Sequence, residues 1–230
     1  VIINPSNIAT LASKANKMGI DNYFDATILP AFVHTWFLTE VYSPDYIDLT
    51  GNGPSLDDAG NYVVFNYGIE QTGGKIVPDI ADYKWRTPFS ANSASVNKGL
   101  YSDPSDDKAS YIYGVKEMYF LHSIESKNEV AVFNLKNRND GYGVSGEFGG
   151  IGGSPLKAIE SISLYSRAEY GSTQIPSKTI HFEHDYHLCD GVPNNNMGDG
   201  KLTLTKVWFT HKNSAKSKFS HYSFDYGENV

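Results

Sequence analysis

Alternation of apolar and polar residues recurs along the second half of the chain. Three segments each contain two alternating runs that are separated by a polar break. The runs pair as 118–124 with 130–135, 158–165 with 178–184, and 202–209 with 221–226. Successive side chains of a strand point to opposite faces, so each segment predicts a β-hairpin with one apolar face. Because a hairpin cannot bury that face alone, we expect the three to join in one antiparallel sheet.

Further strands are predicted outside the hairpins. A run rich in aromatic and β-branched residues follows Pro30 at residues 32–41, and similar runs lie at 62–69, 83–86 and 109–126. The longest connections are rich in Gly, Asn, Asp and Pro, and they are 48–60, 91–107, 137–155 and 190–200. Such composition and length predict long loops.

One short helix is predicted near the start of the sequence. Ser6 suits its N-cap, apolar residues follow at helical spacing from Ile8 to Ala15, and Gly19 suits a left-handed C-terminal cap. The predicted fold is therefore mainly β, an antiparallel sheet of repeated hairpins with one short N-terminal helix. We divide the chain into residues 1–60, with the helix and a strand, and a hairpin domain at 61–230. One continuous domain over 1–230 is the alternative.

Composition narrows the class of protein. The 230 residues carry 19 basic and 26 acidic side chains, a net charge of −7, and include one cysteine. A single cysteine excludes a disulfide framework, and we expect Cys189 to be a buried, inert thiol. The acidic balance argues against nucleic acid as a partner. No apolar run approaches the ~20 residues of a membrane-spanning helix.

The hairpins also carry a family resemblance. Their first strands contain the related stretches 121–124, 159–162 and 204–207, and the later second strands end in tyrosine at Tyr186 and Tyr226. Over residues 110–230 this pattern resembles the RHS/YD-repeat class of large secreted or surface-exposed bacterial proteins, closest to those of Bacteroidetes. The Gly-Arg that follows Tyr-Asp in the full repeat is not present, and residues 1–60 match no part of the pattern.

The resemblance implies an RHS-like sheet that forms part of a spiral or shell and has a structural role without catalysis. Its partners would be neighbouring segments of the same large protein, and its location the cell surface or the extracellular space. Val1 is not an initiator methionine, and a secretory signal is not recognisable after it. We therefore expect a section of a longer chain, with any targeting signal outside it.

Two clusters have residue types that bind metals. His181, Glu183 and His187 would share one face of a strand, with Asp185 between them, and a metal could use them if a neighbouring strand added a ligand. A solvated polar face is the alternative.

The second cluster lies in the loop 48–58. Asp48, Thr50 and Asn52 have the opening spacing of a calcium loop, and Asp57 could add a carboxylate. The closing glutamate of an EF-hand is missing, and a turn rich in Asx residues is the alternative. Calcium is the one cofactor that we consider.

Aromatic residues are abundant, with 16 Tyr, 12 Phe and 3 Trp. Trp36, Trp85 and Trp208 could form a sugar-stacking platform, because tryptophan combines a flat apolar face with a polar edge. Cross-strand packing in the core is the alternative use of these rings. A carbohydrate-binding β-sandwich, with or without calcium, is therefore the second function that we consider.

Motifs of catalysis are not found in the sequence. The glycine-rich stretch 149–155 leads into Pro155 and a predicted strand, so we interpret it as a flexible loop and not as a dinucleotide fingerprint. Ser145 lacks the second glycine of a nucleophile elbow. We expect a non-enzymatic interaction module. Dispersed carboxylate pairs of a hydrolase depend on the fold and stay open.

Overall fold

A computed structural model shows a mainly β protein, as predicted. It describes residues 26–91, 95–96, 109–212, 214 and 220–227. The predicted helix at 6–19 lies outside these residues. The strands are β1 (Glu40–Tyr42), β2 (Tyr62–Tyr67), β3 (Ile69–Gln71), β4 (Lys75–Val77), β5 (Ile80–Thr87), β6 (Ser95–Val96), β7 (Ala109–Ser110), β8 (Ile112–Met118), β9 (Leu121–Ser126), β10 (Glu129–Val144), β11 (Ile151–Ser166), β12 (Lys178–Leu188), β13 (Lys201–His211) and β14 (His221–Ser223). One short helix, α1 (Arg167–Tyr170), connects β11 toward β12.

Eight strands form one antiparallel sheet in the order β1-β2-β9-β10-β11-β12-β13-β14. The three predicted hairpins are confirmed as the pairs β9–β10, β11–β12 and β13–β14. They are joined side by side through β10–β11 and β12–β13. The expected single sheet therefore exists, and β1 from the N-terminal segment is its outermost strand.

The two faces of this sheet differ in chemistry. Phe133, Ile162, Ile180 and Phe209 are neighbours across four strands, and they form an apolar row on one face. One residue along each strand, the opposite face carries a row of smaller side chains, most of them polar. That row consists of Asn66, Ser123, Val132, Ser163, Thr179 and Thr210. The period of two therefore separates the faces as expected.

A second layer packs against the far end of β10. Strands β5 and β8 form a two-stranded sheet, and Tyr83 of β5 donates a hydrogen bond from its hydroxyl to the Gly141 carbonyl at 3.2 Å. A Cβ atom on Gly143 would lie 2.6 Å from the Lys84 carbonyl oxygen, so only glycine permits this approach. Two small ribbons, β3–β4 and β6–β7, complete the described strands.

The predicted long loop 137–155 is wrong. Strand β10 continues to Val144 and β11 begins at Ile151, so the connection spans only residues 145–150. Tyr142 pairs with Pro155, and the register shifts there mark β-bulges. Glycines in this region permit close backbone contacts that larger residues would block. Judged from composition alone, the same glycines predict a loop.

The predicted strand at 32–41 is mostly wrong. Regular pairing begins only at Glu40, and residues 26–39 have no regular secondary structure. A strand needs a hydrogen-bonded partner. Strand β2, which pairs with β1 directly after this segment, ends at Tyr67. The residues therefore have the composition of a strand but lack a described neighbour for most of their length.

The buried core of the described residues is small. Its hydrophobic members are Tyr62, Ile80, Tyr83, Val130, Val144 and Ala158. Most other apolar side chains of the sheet are half-buried. Within the described part, no helix is long and apolar enough to span a membrane.

Candidate functional site

The most prominent surface feature is an apolar strip, which we define as residues 28–38. Seven large hydrophobic side chains of this strip are exposed, namely Ile28, Leu29, Phe32, Val33, Trp36, Phe37 and Leu38. Trp36 is 87% exposed and Ile28 is 83% exposed. Single exposed apolar residues are normal on a protein surface, but a contiguous set of this size marks an interaction site.

The strip is attached to the sheet at its C-terminal end. The Thr39 carbonyl accepts a hydrogen bond from the Phe65 amide at 2.8 Å, just before β1 begins. The Phe37 ring lies 4.8 Å from the Tyr67 ring and 6.2 Å from the Tyr119 ring. These contacts place the C-terminal end of the strip beside β2, and the rest of the strip extends beyond the end of that strand.

The backbone of the strip retains its capacity to pair. Among the described residues, none forms a backbone hydrogen bond with residues 28–38. An edge with open N–H and C=O groups can accept a further strand, and apolar side chains on both sides of it would then be buried. The sequence signalled a strand here, but not its exposure.

A polar cleft lies over strands β11, β12 and β13, and we call it the hydroxyl cleft. Its volume is about 340 Å³, and it is lined by Ser161, Ser163, Pro176, Thr179, His181, Thr210, Lys212 and Ser214. At its floor, the Ser163 and Thr179 hydroxyls lie 3.3 Å apart. None of these lining residues is a carboxylate, so the cleft offers hydroxyl and nitrogen groups to a ligand.

His181 connects this cleft to a tryptophan. Its ring stacks on the Trp208 ring with centroids 5.1 Å apart and planes 9° apart, and its Nε2 lies 2.8 Å from the Thr210 hydroxyl. Burial lowers the pKa of His181 below its usual value, so the imidazole is neutral near pH 7. A neutral imidazole both donates and accepts hydrogen bonds.

A second, smaller cleft of about 240 Å³ lies where the loop at 54–56 meets β2 and α1. Its polar wall is a network in which Asn66 donates to Glu125 at 2.9 Å and Arg167 donates to Glu125 at 2.7 Å. The positive charge of the Arg167 guanidinium thereby balances the negative charge of the Glu125 carboxylate. Glu125 is the one carboxylate among the lining residues, so the paired acids of a glycosidase are not assembled there.

The loop predicted to bind calcium is organised by hydrogen bonds to Asp48. Its carboxylate accepts the backbone N–H groups of Thr50, Gly51 and Gly53 at 3.2, 2.6 and 2.9 Å. The Thr50 hydroxyl donates to the Asn52 side chain at 2.7 Å. This is the geometry of an Asx turn, with donors where a cation needs oxygen atoms.

Asp58, next to the predicted ligand Asp57, organises the rest of that loop. It is buried and accepts hydrogen bonds from the Leu49 and Ser55 amides and from the Tyr46 hydroxyl at 2.8–3.0 Å. Burial raises the pKa of Asp58, but these donors outweigh it and hold the pKa below its usual value. Sequence reasoning missed this residue, because its role depends on donors nine and twelve residues away.

The histidine cluster is divided among separate contacts. His181 stacks on Trp208. Glu183 forms an ion pair with Lys206, with Nζ–Oε1 at 2.9 Å, and His187 forms a hydrogen bond with Asp185. A register shift between Asp185 and Leu188 interrupts the regular pairing there. In the part of the chain that the structure describes, no three His, Cys, Asp or Glu side chains are grouped to hold a metal. Metal binding at either cluster stays a prediction.

The three tryptophans lie on different elements. Trp36 belongs to the apolar strip, Trp85 to β5 and Trp208 to β13. Trp85 is 36% exposed and packs over Gly114, where an added Cβ would meet its indole nitrogen at 2.7 Å. Cys189 is exposed, so its predicted burial is wrong. It directly follows β12 and has a positive φ of 58°.

Comparison with known proteins gives no match. No protein-family model matches the chain, and no curated protein or solved structure is significantly similar to it.

Proposed function

We propose that this chain is a non-catalytic interaction module of a larger secreted or surface-exposed bacterial protein, and that the apolar strip is its docking edge. The strip carries the proposal, because it exposes seven large apolar side chains beside the sheet, and among the described residues none forms a backbone hydrogen bond with it. The RHS/YD-repeat resemblance agrees with such a role and stays a prediction.

The partner that fits the strip is an extended polypeptide. A strand added along residues 28–38 would satisfy the open backbone groups and cover the apolar side chains in the same step. Neighbouring segments of the same large protein could extend the sheet at its other edge too. Among the described residues, β14 pairs with Lys206–Trp208 of the longer β13, and the Phe224 amide adds a hydrogen bond to the Thr205 carbonyl.

Hydrogen exchange tests this proposal. The amides of the strip should exchange rapidly in the 230-residue chain kept dilute, at about 1 μM, and slowly in the complete protein isolated from its source, because the docked partner protects them. Amides of residues 161–164 in β11 serve as the internal control, since these residues pair with both β10 and β12. Equal, rapid exchange of the strip in both samples would contradict the proposal.

Carbohydrate binding is the second candidate function. The observation that favours it is the hydroxyl cleft beside the stacked His181 and Trp208 rings, because a sugar presents hydroxyl groups and an apolar face. Retention on immobilised oligosaccharides should be lost in His181→Ala and kept in Trp36→Ala. Equal retention of both variants, or no retention of the original chain, would remove this candidate.

A further inference from the structure

We infer that the apolar strip pairs with the same strip of a second copy of this chain, so that two eight-stranded sheets join edge to edge. This inference rests on the proposed function, because it names the partner of the docking edge. Four properties of the strip support a second copy as that partner: its charge, its length, its area and its position in the sheet.

The charge pattern permits self-pairing. Residues 26–39 contain no Asp, Glu, Lys or Arg, and Glu40 is the first charged residue after them. When a strand pairs with its own copy, each charge near the symmetry axis meets a like charge, which is destabilising. A net charge of −7 makes two copies repel elsewhere, so an uncharged segment is where they can approach.

The length of the strip is unusual for an unprotected edge. Pro30 lies near the start of the strip, but the nine residues after it, 31–39, contain neither proline nor charge, which normally block pairing of edge strands. Nine extended residues span about 30 Å at ~3.4 Å per residue. That is enough for a complete strand pair between two copies.

The area also fits a dimer. Aromatic side chains bury about 150–250 Å² each, so the exposed parts of Phe32, Trp36 and Phe37 together with four exposed aliphatic residues can bury at most on the order of 800–1,000 Å². A standard stable interface buries about 800 Å² on each partner. The strip alone therefore supplies the area that a dimer needs.

The position of the strip fixes the geometry. All neighbouring strands of the eight-stranded sheet are antiparallel, and the strip lies outside β2 through the Thr39–Phe65 hydrogen bond. A two-fold axis across the strip continues that antiparallel pattern. Such an interface uses the same surface on both copies and closes at the dimer. Among the described strands, none pairs with the outer side of β14.

Analytical ultracentrifugation of the 230-residue chain tests the inference. The mass should rise from 25.4 kDa at about 1 μM toward twice that value at about 200 μM. The double variant Trp36→Lys with Leu38→Lys should weaken association at least tenfold, because charges then face each other across the axis. Met197→Lys, at a loop residue that is 67% exposed, is the matched control and should dimerise normally.

Single cysteines locate the axis. In a Cys189→Ser background, cysteines are placed one at a time at residues 33–38, and an intermolecular disulfide should form at only one or two adjacent positions. The reason is that two Cα atoms must come within about 7 Å. Disulfides at every position, or at none, would overturn the inference.

The two proposals can fail separately. A chain that stays at 25.4 kDa at every concentration, or a double variant that is folded and still dimeric, overturns the second copy as partner. The docking edge itself is judged by the exchange experiment on the complete protein. Protection there, combined with a monomeric isolated chain, would assign the edge to a different polypeptide.

Discussion

Arg138 and Asp140 form a two-point ion pair across one intervening residue, with Nε–Oδ1 at 3.0 Å and Nη2–Oδ2 at 2.8 Å. The Asp140 carboxylate is fully buried and also accepts the Leu202 amide at 3.0 Å. Four residues of β10 bulge out here between the pairs at Asn137 and Tyr142. The ion pair therefore stabilises an irregular stretch of β10 and connects it to β13.

Removing the charge of Asp140 should destabilise the fold. In Asp140→Asn the partly buried Arg138 guanidinium loses its anionic acceptor, and breaking a buried ion pair on one side costs about 3 kcal/mol. Urea denaturation measures the change in unfolding free energy. Asp82→Asn is the control, because Asp82 is 73% exposed and 3.9 Å from Lys84, and it should change stability by less than about 0.5 kcal/mol. Equal losses in the two variants would contradict this role.

The stabilising effect of Asp140 should depend on pH. Burial raises the pKa of Asp140, but Arg138 and the Leu202 amide outweigh it and hold the pKa below its usual 3.8. A lowered pKa means that the stabilisation is complete above about pH 4 and is lost as the pH falls through the folded-state pKa. The stability difference between the original chain and Asp140→Asn should therefore shrink between pH 7 and pH 3. A difference that stays constant would refute the assignment.

His181 should make the protein less stable in mild acid. Burial lowers the pKa of its imidazole below 6.5, so the unfolded chain binds a proton more readily than the folded chain. The unfolding free energy then decreases as the pH falls from about 6.5 toward the folded-state pKa. The melting temperature should drop less between pH 7.5 and 5.5 in His181→Gln than in the original chain. His221→Gln, at an exposed residue of β14, should keep the original drop.

Gly143 should be essential for the contact between the two layers. An alanine there would place its Cβ 2.6 Å from the Lys84 carbonyl oxygen, which is backbone and cannot rotate away. We expect Gly143→Ala to cost about 1–3 kcal/mol, measured by calorimetry. Gly146→Ala is the matched control, because nothing lies within 4 Å of its added Cβ. A neutral Gly143→Ala variant would mean that β5 is free to shift.

The hairpins were predictable because their information is local. Period-two alternation and a nearby polar break specify both strands of each pair, such as β11 and β12. The Asx turn at Asp48 was likewise one of the two predictions made for the loop 48–58. By contrast, the continuation of β10 to Val144 depends on bulges and on glycines that touch β5. Neither is visible in an alternation pattern.

The candidate site was only partly predictable. The run at 32–41 signalled a strand with aromatic residues, but burial or exposure depends on whether another strand lies beside it. The sequence did not predict the Arg138–Asp140 ion pair or the hydrogen bonds that Asp58 accepts, because single acidic residues in polar stretches are common. Their function follows from donors that the fold brings from β13 and from the distant end of a loop.

The sequence by itself determined the β class, the three hairpins and the absence of a disulfide framework, because each follows from local spacing or from composition. Tertiary structure alone decided the order of the eight strands, the Arg138–Asp140 ion pair and the exposure of the apolar strip at residues 28–38. Pairing between distant strands depends on contacts across many residues, and a local pattern does not encode which neighbour a strand will find.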